Sequence, residues 1–242
     1  MNGDLVFIGD VHLDRDDPDL PPFLAFLDRL GSSCSRIVLM GDLFNLWIGR
    51  AELEQPHQRA VVAKLQALRR RGVVVRYLEG NRDYRIGHCH VGSALDEATD
   101  RGIVESFGGR RIVAIHGDMA NAEDRSYRRW RWFSRSRFAW LLFNLVPRGR
   151  RLGIAESLER RLRSSNKEFK QAFPEATIRG YAASVASPDD DALVLGHFHV
   201  EKELAPGERP ATPRILVLPC WKDRRRHLRV DPGGEIEFVD SE

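Results

Sequence analysis

The chain has 242 residues, 42% hydrophobic and 30% charged, which excludes a disordered protein and suits a soluble globular one with a full-sized core. No stretch is long enough to span a bilayer, no secretory signal is visible, and three widely spaced cysteines exclude a disulfide framework or a zinc ribbon, so we expect a cytoplasmic protein. The net charge of +3 is unevenly distributed, since residues 125–170 carry +11 and the rest of the chain carries −8. A strongly basic segment of this kind usually binds an anionic partner.

Six short, β-branched and apolar stretches bounded by Gly, Asp or Pro predict strands. Between the first three, residues 23–30 and 57–71 have apolar side chains at helical spacing. Strands that alternate with helices indicate an α/β fold, and the closer spacing of the later strands favours antiparallel pairing. The predicted strands are Leu5–Gly9, Ile37–Gly41, Val73–Leu78, Ile112–Ile115, Ala192–Gly196 and Ile215–Leu218.

The middle of the chain has a different character. From about residue 121 to 174 no strand-like stretch occurs, and the pattern is typical of two or three helices broken at Pro147. Because this stretch lies between two strands, we predict a helical cap inserted at residues 121–175, here called the cap segment. Residues 1–120 and 176–242 would then form the core domain.

Residues that carry chemistry follow five of the predicted strands. In an α/β sheet, ligands gather beyond the carboxyl ends of the strands. Carboxylates, imidazoles and a carboxamide suit Mn²⁺, Fe²⁺, Zn²⁺ or Mg²⁺. Two such ions, with Asp42 as the natural bridge, can activate water and stabilise charge on a phosphoryl group. Each fragment alone is weak, but all occur in order: Asp10, His12, Asp42, Asn81, His116, His197 and His199.

This ordered set resembles the calcineurin-like metallophosphoesterase superfamily, with its motifs DxH, GD, GN, H and GHxH. The resemblance implies an α/β fold, an α-β-β-α sandwich of two mixed sheets with an inserted helical cap, and two divalent metal ions. It implies that one metal is bound by Asp10, His12, Asp42 and His199, and the other by Asp42, Asn81, His116 and His197.

The residue after Asn81 limits the classes of substrate that the site would suit. Many phosphomonoesterases of the superfamily have His there, which helps to protonate the leaving group, whereas this chain has Arg82. Arginine cannot act as a general acid at neutral pH, although it can bind a phosphate with two hydrogen bonds. A site without that acid favours a good leaving group, such as the phosphate released from a pyrophosphate.

Longer stretches, residues 41–49, 80–87 and 116–127, resemble the UDP-2,3-diacylglucosamine diphosphatases of lipid A biosynthesis. The resemblance implies hydrolysis of UDP-2,3-diacylglucosamine to UMP and 2,3-diacylglucosamine 1-phosphate at the inner face of the cytoplasmic membrane, usually with Mn²⁺. The residues implied for catalysis are Asn81, Arg82, His116 and His197, and those implied for substrate contact are Asn81, Arg82, Asp124, Tyr127, Lys167, Lys170 and His197.

The composition of the cap segment fits a lipid substrate. Its aromatic residues occur in apolar blocks such as residues 138–146, which could cover acyl chains, and the interleaved arginines could contact anionic headgroups. Aromatic residues that stack on nucleic acid bases would be spaced singly among polar ones. We therefore expect a nucleotide-linked glycolipid and the membrane surface as partners, rather than nucleic acid.

Three departures from the family pattern leave the exact substrate open. Asn45 stands where Glu is expected, Arg50 where an acidic residue is expected, and Arg163 where a small hydroxyl residue is expected. Another nucleotide-linked or lipid pyrophosphate, a generic phosphomonoesterase or nuclease activity, and a non-catalytic scaffold remain as alternatives. A scaffold would have lost ligands, and all seven are present.

The remaining polar residues have simpler interpretations. His57 is predicted on an exposed helix face, and His227, among arginines, is predicted to be solvated. Asp83 and Asp118, next to ligand positions, are predicted to orient the ligand imidazoles.

Overall fold

The computed structural model describes residues 3–165, 173–206 and 213–241. The strands are β1 (Asp4–Ile8), β2 (Cys34–Leu39), β3 (Trp47–Ile48), β4 (Val74–Leu78), β5 (Asp83–Tyr84), β6 (Glu97–Thr99), β7 (Ile103–Phe107), β8 (Arg110–Ile115), β9 (Ala192–Leu195), β10 (Lys202–Leu204), β11 (Arg214–Val217), β12 (Arg226–Val230) and β13 (Ile236–Asp240). The helices are α1 (Leu20–Ser33), α2 (Pro56–Arg70), α3 (Gly87–His90), α4 (Arg125–Ser134), α5 (Arg137–Leu145), α6 (Arg148–Ser165), α7 (Glu175–Val185) and α8 (Trp221–Arg224), with a 3₁₀ turn at Ala51–Leu53.

Two mixed sheets form the centre of the molecule. The first has the strand order β13-β12-β1-β2-β4-β6 and the second β10-β11-β9-β8-β7. In each sheet the central strands are parallel and an antiparallel strand closes at least one edge. The parallel strands of the two sheets bring their carboxyl ends to one region, which is where the predicted ligands follow them.

The layers are set by which face of each sheet is apolar. Leu5, Phe7 and Val38 of the first sheet pack against Ala114 and Val194 of the second, so that the sheets bury each other's inner faces. Helices α1 and α2 cover the outer face of the first sheet, and α7 covers the outer face of the second. This is the α-β-β-α sandwich that the sequence predicts.

Most predicted elements are present. All six predicted strands and both predicted helices are found, with ends that move by up to three residues. The region between β8 and β9 contains α4, α5 and α6, and the break between α5 and α6 falls at Pro147, whose ring cannot continue a helix. No helix among the described residues is both long enough and apolar enough to cross a membrane.

The prediction for His57 is wrong. It is buried, with 6% of its surface exposed, and its ring meets that of Phe44 edge-on at a centroid distance of 5.5 Å. His57 lies on the same face of α2 as Val61 and Leu65, because residues four positions apart are neighbours on a helix. Helical position, rather than the polarity of the side chain, decides its burial.

His227 is also buried, with 6% of its surface exposed, so the prediction that it is solvated is wrong. Its ring packs 5.0 Å from that of Phe26, and Nδ1 lies 2.9 Å from Ser241 Oγ. It belongs to β12, which is not among the strands predicted from the sequence, because Arg226 and Arg229 interrupt its apolar pattern. In a strand, successive side chains alternate between faces, so the buried His227 and the half-buried Arg226 before it point to opposite sides of the sheet.

Stability should depend on the pH through His227. Burial, and then the nearby Arg229 and Arg226, lower the pKa of His227 from 6.5 to about 4. Between these values the unfolded chain binds a proton that the folded chain does not, so stability falls as the pH is lowered from 6.5 to 4, by roughly 3 kcal/mol. Urea unfolding across this range measures the loss. His227→Asn cannot titrate and should lose less; an equal loss would contradict the assignment.

Candidate metal centre

The backbone turns sharply at the ends of the ligand-bearing strands. The predicted ligands follow β1, β2, β4, β8 and β9. Five of the seven have left-handed backbone conformations, with φ between 47° and 69°. Asp and His are among the residues that tolerate this conformation best, so the residue types that bind metal also suit these turns. The five are Asp10, His12, Asp42, His197 and His199.

One group of ligands forms around Asp10. Nε2 of His12 lies 3.0 Å from Nε2 of His199, and the latter atom lies 3.6 Å from Asp10 Oδ1. The second carboxylate oxygen, Asp10 Oδ2, accepts a hydrogen bond of 2.7 Å from the backbone N–H of His197. Asp10, His12 and His199 therefore converge on one point.

The second group forms around His116. Oδ1 of Asn81 lies 3.1 Å from Nε2 of His116 and 3.0 Å from Nδ1 of His197. Asp42 stands between the groups: its Oδ2 is 4.0 Å from Nε2 of His12, and its Oδ1 is 3.8 Å from Nε2 of His116. A carboxylate with one oxygen toward each group is placed to bridge two ions, as the sequence predicts for Asp42.

Close approach of the backbone at Gly80 allows this arrangement. A Cβ atom at Gly80 would lie 2.3 Å from Asp42 Oδ1 and 2.7 Å from Cε1 of His116. No side chain could be accommodated at that distance without moving a ligand. The glycine before Asn81 is therefore required by the packing of the centre itself.

Buried charges perturb the titration of the ligands. Burial raises the pKa of Asp10, but the neighbouring imidazole of His199 outweighs it, so that the pKa lies well below the ordinary value. Burial lowers the pKa of His116, but the carboxylates of Asp42 and Asp10 raise it above its usual value. For His197, burial and the charge of His116 lower the pKa to about 4. Opposite charges thus favour the charged forms of Asp10 and His116, whereas burial and a like charge disfavour the charged form of His197.

The donor set fits two divalent cations. The Nε2 atoms of His12 and His199 lie 3.0 Å apart, and Asn81 Oδ1 lies within 3.1 Å of ring nitrogens of two other histidines. The buried Asp10 Oδ1 has no hydrogen-bond partner among the described residues. A buried polar atom without a partner is rare, and a cation held among these donors would satisfy Asp10 Oδ1. With no thiolate among these ligands, hard or borderline metals are favoured.

The groups that orient the ligands differ from the predicted ones. Nδ1 of His116 lies 2.7 Å from the backbone carbonyl of Met40. Asp83 instead accepts hydrogen bonds of 2.9 Å from the backbone N–H groups of Asp42 and Gly80. It therefore holds the turn that carries the bridging carboxylate rather than an imidazole.

Asp118 links the centre to the cap segment. Its Oδ2 accepts a hydrogen bond from the hydroxyl of Tyr127 and another, of 2.6 Å, from Nε of Arg131. Burial raises the pKa of Asp118, but His116 and Arg131 lower it to about 2 overall. The sequence predicts that Asp118 accepts a hydrogen bond from an imidazole of the centre, whereas its hydrogen-bond donors are Tyr127 and Arg131 of α4.

The residues implied for substrate contact have varied surroundings. Arg82 is only 2% exposed; its Nε lies 3.5 Å from Asp42 Oδ2, and its backbone N–H donates to Asp42 Oδ1. Asp124 is exposed and caps α4 by accepting from the backbone N–H of Tyr127 at 2.8 Å. Lys167 and Lys170 lie outside the described residues.

Two departures from the family pattern contact neighbouring groups. The backbone carbonyl of Asn45 accepts a hydrogen bond of 3.3 Å from Arg82. The guanidinium of Arg50 lies 5.0 Å from the ring centroid of Trp140 in α5, and that of Arg85 lies 5.5 Å from it. Arg50 thus helps to dock the cap segment through a cation–π contact.

The rest of the cap segment leaves a large apolar surface uncovered. No residue of α4 or α5 is buried, although both helices are amphipathic. Isolated exposed apolar side chains are common, but a contiguous set usually marks a binding surface. The exposed apolar side chains of α4 and α5 are Trp130, Trp132, Phe133, Phe138, Leu141, Leu142 and Leu145, here called the apolar cap surface.

Sequence reasoning missed the contacts that hold the loop around Asn81. Glu79 accepts from the backbone N–H groups of Ile86 and Arg85, and Arg135 binds it from the cap segment. The position of Glu79 beside Gly80 could have indicated this role. Arg135 stands among many arginines and carries no distinguishing signal.

Comparison with known proteins agrees with this geometry. The chain is 30% identical over 195 residues to a UDP-2,3-diacylglucosamine hydrolase of Proteus mirabilis, covering 80% of this chain and 81% of that protein. The chain belongs to the UDP-2,3-diacylglucosamine hydrolase family. Other members include those of Aeromonas salmonicida, 29% identical with 95% and 91% of the chains covered, and Shewanella pealeana, 27% identical with 97% of each covered.

The fold is shared more widely than this hydrolase family. An archaeal phosphodiesterase of known structure superposes with a TM-score of 0.50 over 98% of both chains at 9% identity, which shows the common metallophosphoesterase fold. No protein-family profile matches the chain. The resemblance inferred from the motifs is therefore confirmed, both for the fold and for the hydrolase family.

Proposed function

We propose that this protein hydrolyses the pyrophosphate bond of UDP-2,3-diacylglucosamine and releases UMP and 2,3-diacylglucosamine 1-phosphate. The observation that carries the proposal is the convergence of seven buried or half-buried donors, with Asp42 between two groups of ligands. The relatives named UDP-2,3-diacylglucosamine hydrolases, which span nearly the whole chain, support this choice of substrate.

The proposed site acts by positioning and by electrostatics. Two divalent ions, for which we propose Mn²⁺, would activate water and offset charge at the phosphorus when bound. Asn81 and His197 line the place where a phosphoryl oxygen would lie, with the Asn81 Oδ1 atom 3.0 Å from His197 Nδ1. The buried Arg82 holds Asp42 through its backbone N–H and places a positive charge beside it. Because phosphate is a good leaving group, the reaction requires no general acid where Arg82 stands.

The cap segment, residues 121–175, would hold the lipid part of the substrate. We propose that the apolar cap surface receives acyl chains or meets the inner face of the cytoplasmic membrane, and that the arginines around it attract anionic headgroups. Asp124, Tyr127, Lys167 and Lys170 are proposed as further substrate contacts. Among these, Asp124 and Tyr127 lie on the turn of α4 that is tied to Asp118.

Substrate selectivity tests the proposal. Purified, Mn²⁺-loaded protein is given UDP-2,3-diacylglucosamine, UDP-N-acetylglucosamine and p-nitrophenyl phosphate in separate assays. We expect UMP from the diacylated substrate and little turnover of the other two. Turnover of p-nitrophenyl phosphate alone would indicate a generic phosphoesterase and overturn the lipid assignment. If none of the three substrates is hydrolysed, the proposed hydrolase activity is overturned.

A further inference from the structure

The side chain of Arg135 reaches from the cap segment into the loop that carries Asn81. Nη1 of Arg135 lies 2.9 Å from Oε2 of Glu79. Its Nη2 donates to the backbone carbonyl of Gly80 at 2.5 Å and to that of Asp83 at 3.2 Å. These two carbonyls stand on either side of the Asn81-Arg82 pair. One guanidinium thus binds both ends of the turn that presents a predicted metal ligand.

The other end of Arg135 is held by the cap segment. Arg135 ends α4, with its backbone N–H donating to the carbonyl of Arg131 at 3.2 Å, and Ser136 begins α5 by accepting from the N–H of Ala139. The backbone carbonyl of Arg135 accepts a hydrogen bond of 3.1 Å from Arg85, a residue of the core. The corner between α4 and α5 is therefore tied to the loop in both directions.

Glu79 makes this tie specific. Its Oε1 accepts from the backbone N–H of Ile86 at 2.7 Å, so that the carboxylate also holds the far end of the same loop. The side chains of Glu79 and Arg135 are largely buried, at 10% and 11% exposed. A buried carboxylate without a cation is strongly unfavourable, and Arg135 supplies that cation. The planar fork of arginine can bind a carboxylate and two carbonyls together, which the single ammonium of lysine cannot do.

We propose that Arg135 is a positioning residue that holds Asn81 at the metal centre by tying the α4–α5 corner to the carbonyls of Gly80 and Asp83. The proposal rests on the proposed function only in that the centre is taken to bind divalent metal. Arg135 itself touches neither a ligand atom nor the place of the phosphoryl group. A shift of the cap corner is thereby transmitted to Asn81.

Amide hydrogen exchange, Mn²⁺ binding and kinetics of the full chain test this role. Arg135→Gln and Arg135→Lys are compared with the wild type. We expect exchange in a peptide covering residues 79–86 to be about tenfold faster in Arg135→Gln, and Mn²⁺ to bind about tenfold more weakly, as is usual when a group that orients a ligand is lost. With UDP-2,3-diacylglucosamine, kcat should fall about tenfold or more while KM stays within about twofold. Arg135→Lys should lie between, because it keeps a positive charge beside Glu79 and Asp100 but loses the fork that binds the two carbonyls.

Arg59→Gln is the matched control. Arg59 is exposed on α2, outside the cap segment, and makes no side-chain hydrogen bond or ion pair with the described residues, so all three measurements should equal those of the wild type. Unchanged exchange at residues 79–86 and unchanged Mn²⁺ affinity in Arg135→Gln would overturn the proposal. If the wild type does not hydrolyse the lipid substrate, the proposed function fails, whereas exchange and Mn²⁺ affinity still decide the role of Arg135.

Discussion

Asp42→Asn is expected to lower hydrolysis of UDP-2,3-diacylglucosamine by at least ~10³-fold, which corresponds to about 4 kcal/mol of transition-state stabilisation. Asp42 is the carboxylate that faces both ligand groups, with Oδ2 toward His12 and Oδ1 toward His116. Asparagine has nearly the same shape and tolerates the left-handed conformation of this position, where φ is 52°. The substitution therefore removes the bridging charge without a backbone penalty, and UMP release measures the effect.

Stability measurements separate a lost metal site from a lost fold. Without metal, Asp42→Asn should be at least as stable as the wild type, because burial and the nearby charge of Asp10 raise the pKa of Asp42 and so disfavour the carboxylate that the substitution removes. The wild type should gain about 2.7 kcal/mol when Mn²⁺ is present at a hundredfold excess over its Kd, and the variant much less. Asp189→Asn, an exposed substitution far along the chain, should behave as the wild type. Full turnover together with undiminished Mn²⁺ stabilisation in Asp42→Asn would sink the two-metal assignment.

The double variant Trp132→Glu/Leu145→Glu should bind anionic phospholipid vesicles at least ~30-fold more weakly than the wild type. Trp132 and Leu145 are 77% and 72% exposed, so the part of the chain that the structure describes leaves most of each side chain uncovered. Burying each in lipid would contribute about 1 kcal/mol or more, and two carboxylates would add repulsion from an anionic surface. Cosedimentation with vesicles that contain phosphatidylglycerol measures the change.

Two comparisons make this result specific. Val104→Glu changes another exposed apolar residue, on β7 outside the cap segment, and should bind vesicles as the wild type does. Turnover of UDP-2,3-diacylglucosamine presented in vesicles should fall with binding, while the thermal stability of the double variant is unchanged, because neither side chain is buried. Vesicle binding equal to that of the wild type would rule out the apolar cap surface as the membrane contact.

The convergence of these side chains can be predicted from the sequence because two independent constraints act on the same positions. Parallel strands deliver their carboxyl ends to one edge, and the turns found there favour the Asp and His residues that bind metal. The sequence therefore indicates the positions of Asp10, His12 and His199 without any knowledge of distances. The groups that orient the predicted ligands cannot be predicted in this way. The Met40 carbonyl that orients His116 is backbone, which every residue carries.

Both wrong predictions concern histidines whose burial is decided by their position in the fold. The sequence predicts His57 on an exposed helix face and His227 in solvent among arginines, yet each is buried against an aromatic ring, that of Phe44 or Phe26. The substrate contacts were least accessible to sequence reasoning. The resemblance implies that Arg82 contacts phosphate, and the burial of its guanidinium beside Asp42 is a placement that depends on tertiary packing.

The parts of the metal centre are far apart along the chain, and this sets the order in which it can form. His12 and His199 are separated by 187 positions, yet their imidazoles lie 3.0 Å apart. Strand β1, which precedes Asp10, has β12 as one of its two neighbours, so it stays an open edge until residues 226–230 have been made. Contacts this distant form slowly, because a long loop must close before they are made. During synthesis on the ribosome, Asp10 and His12 therefore cannot meet their distant partner until His199 has been made.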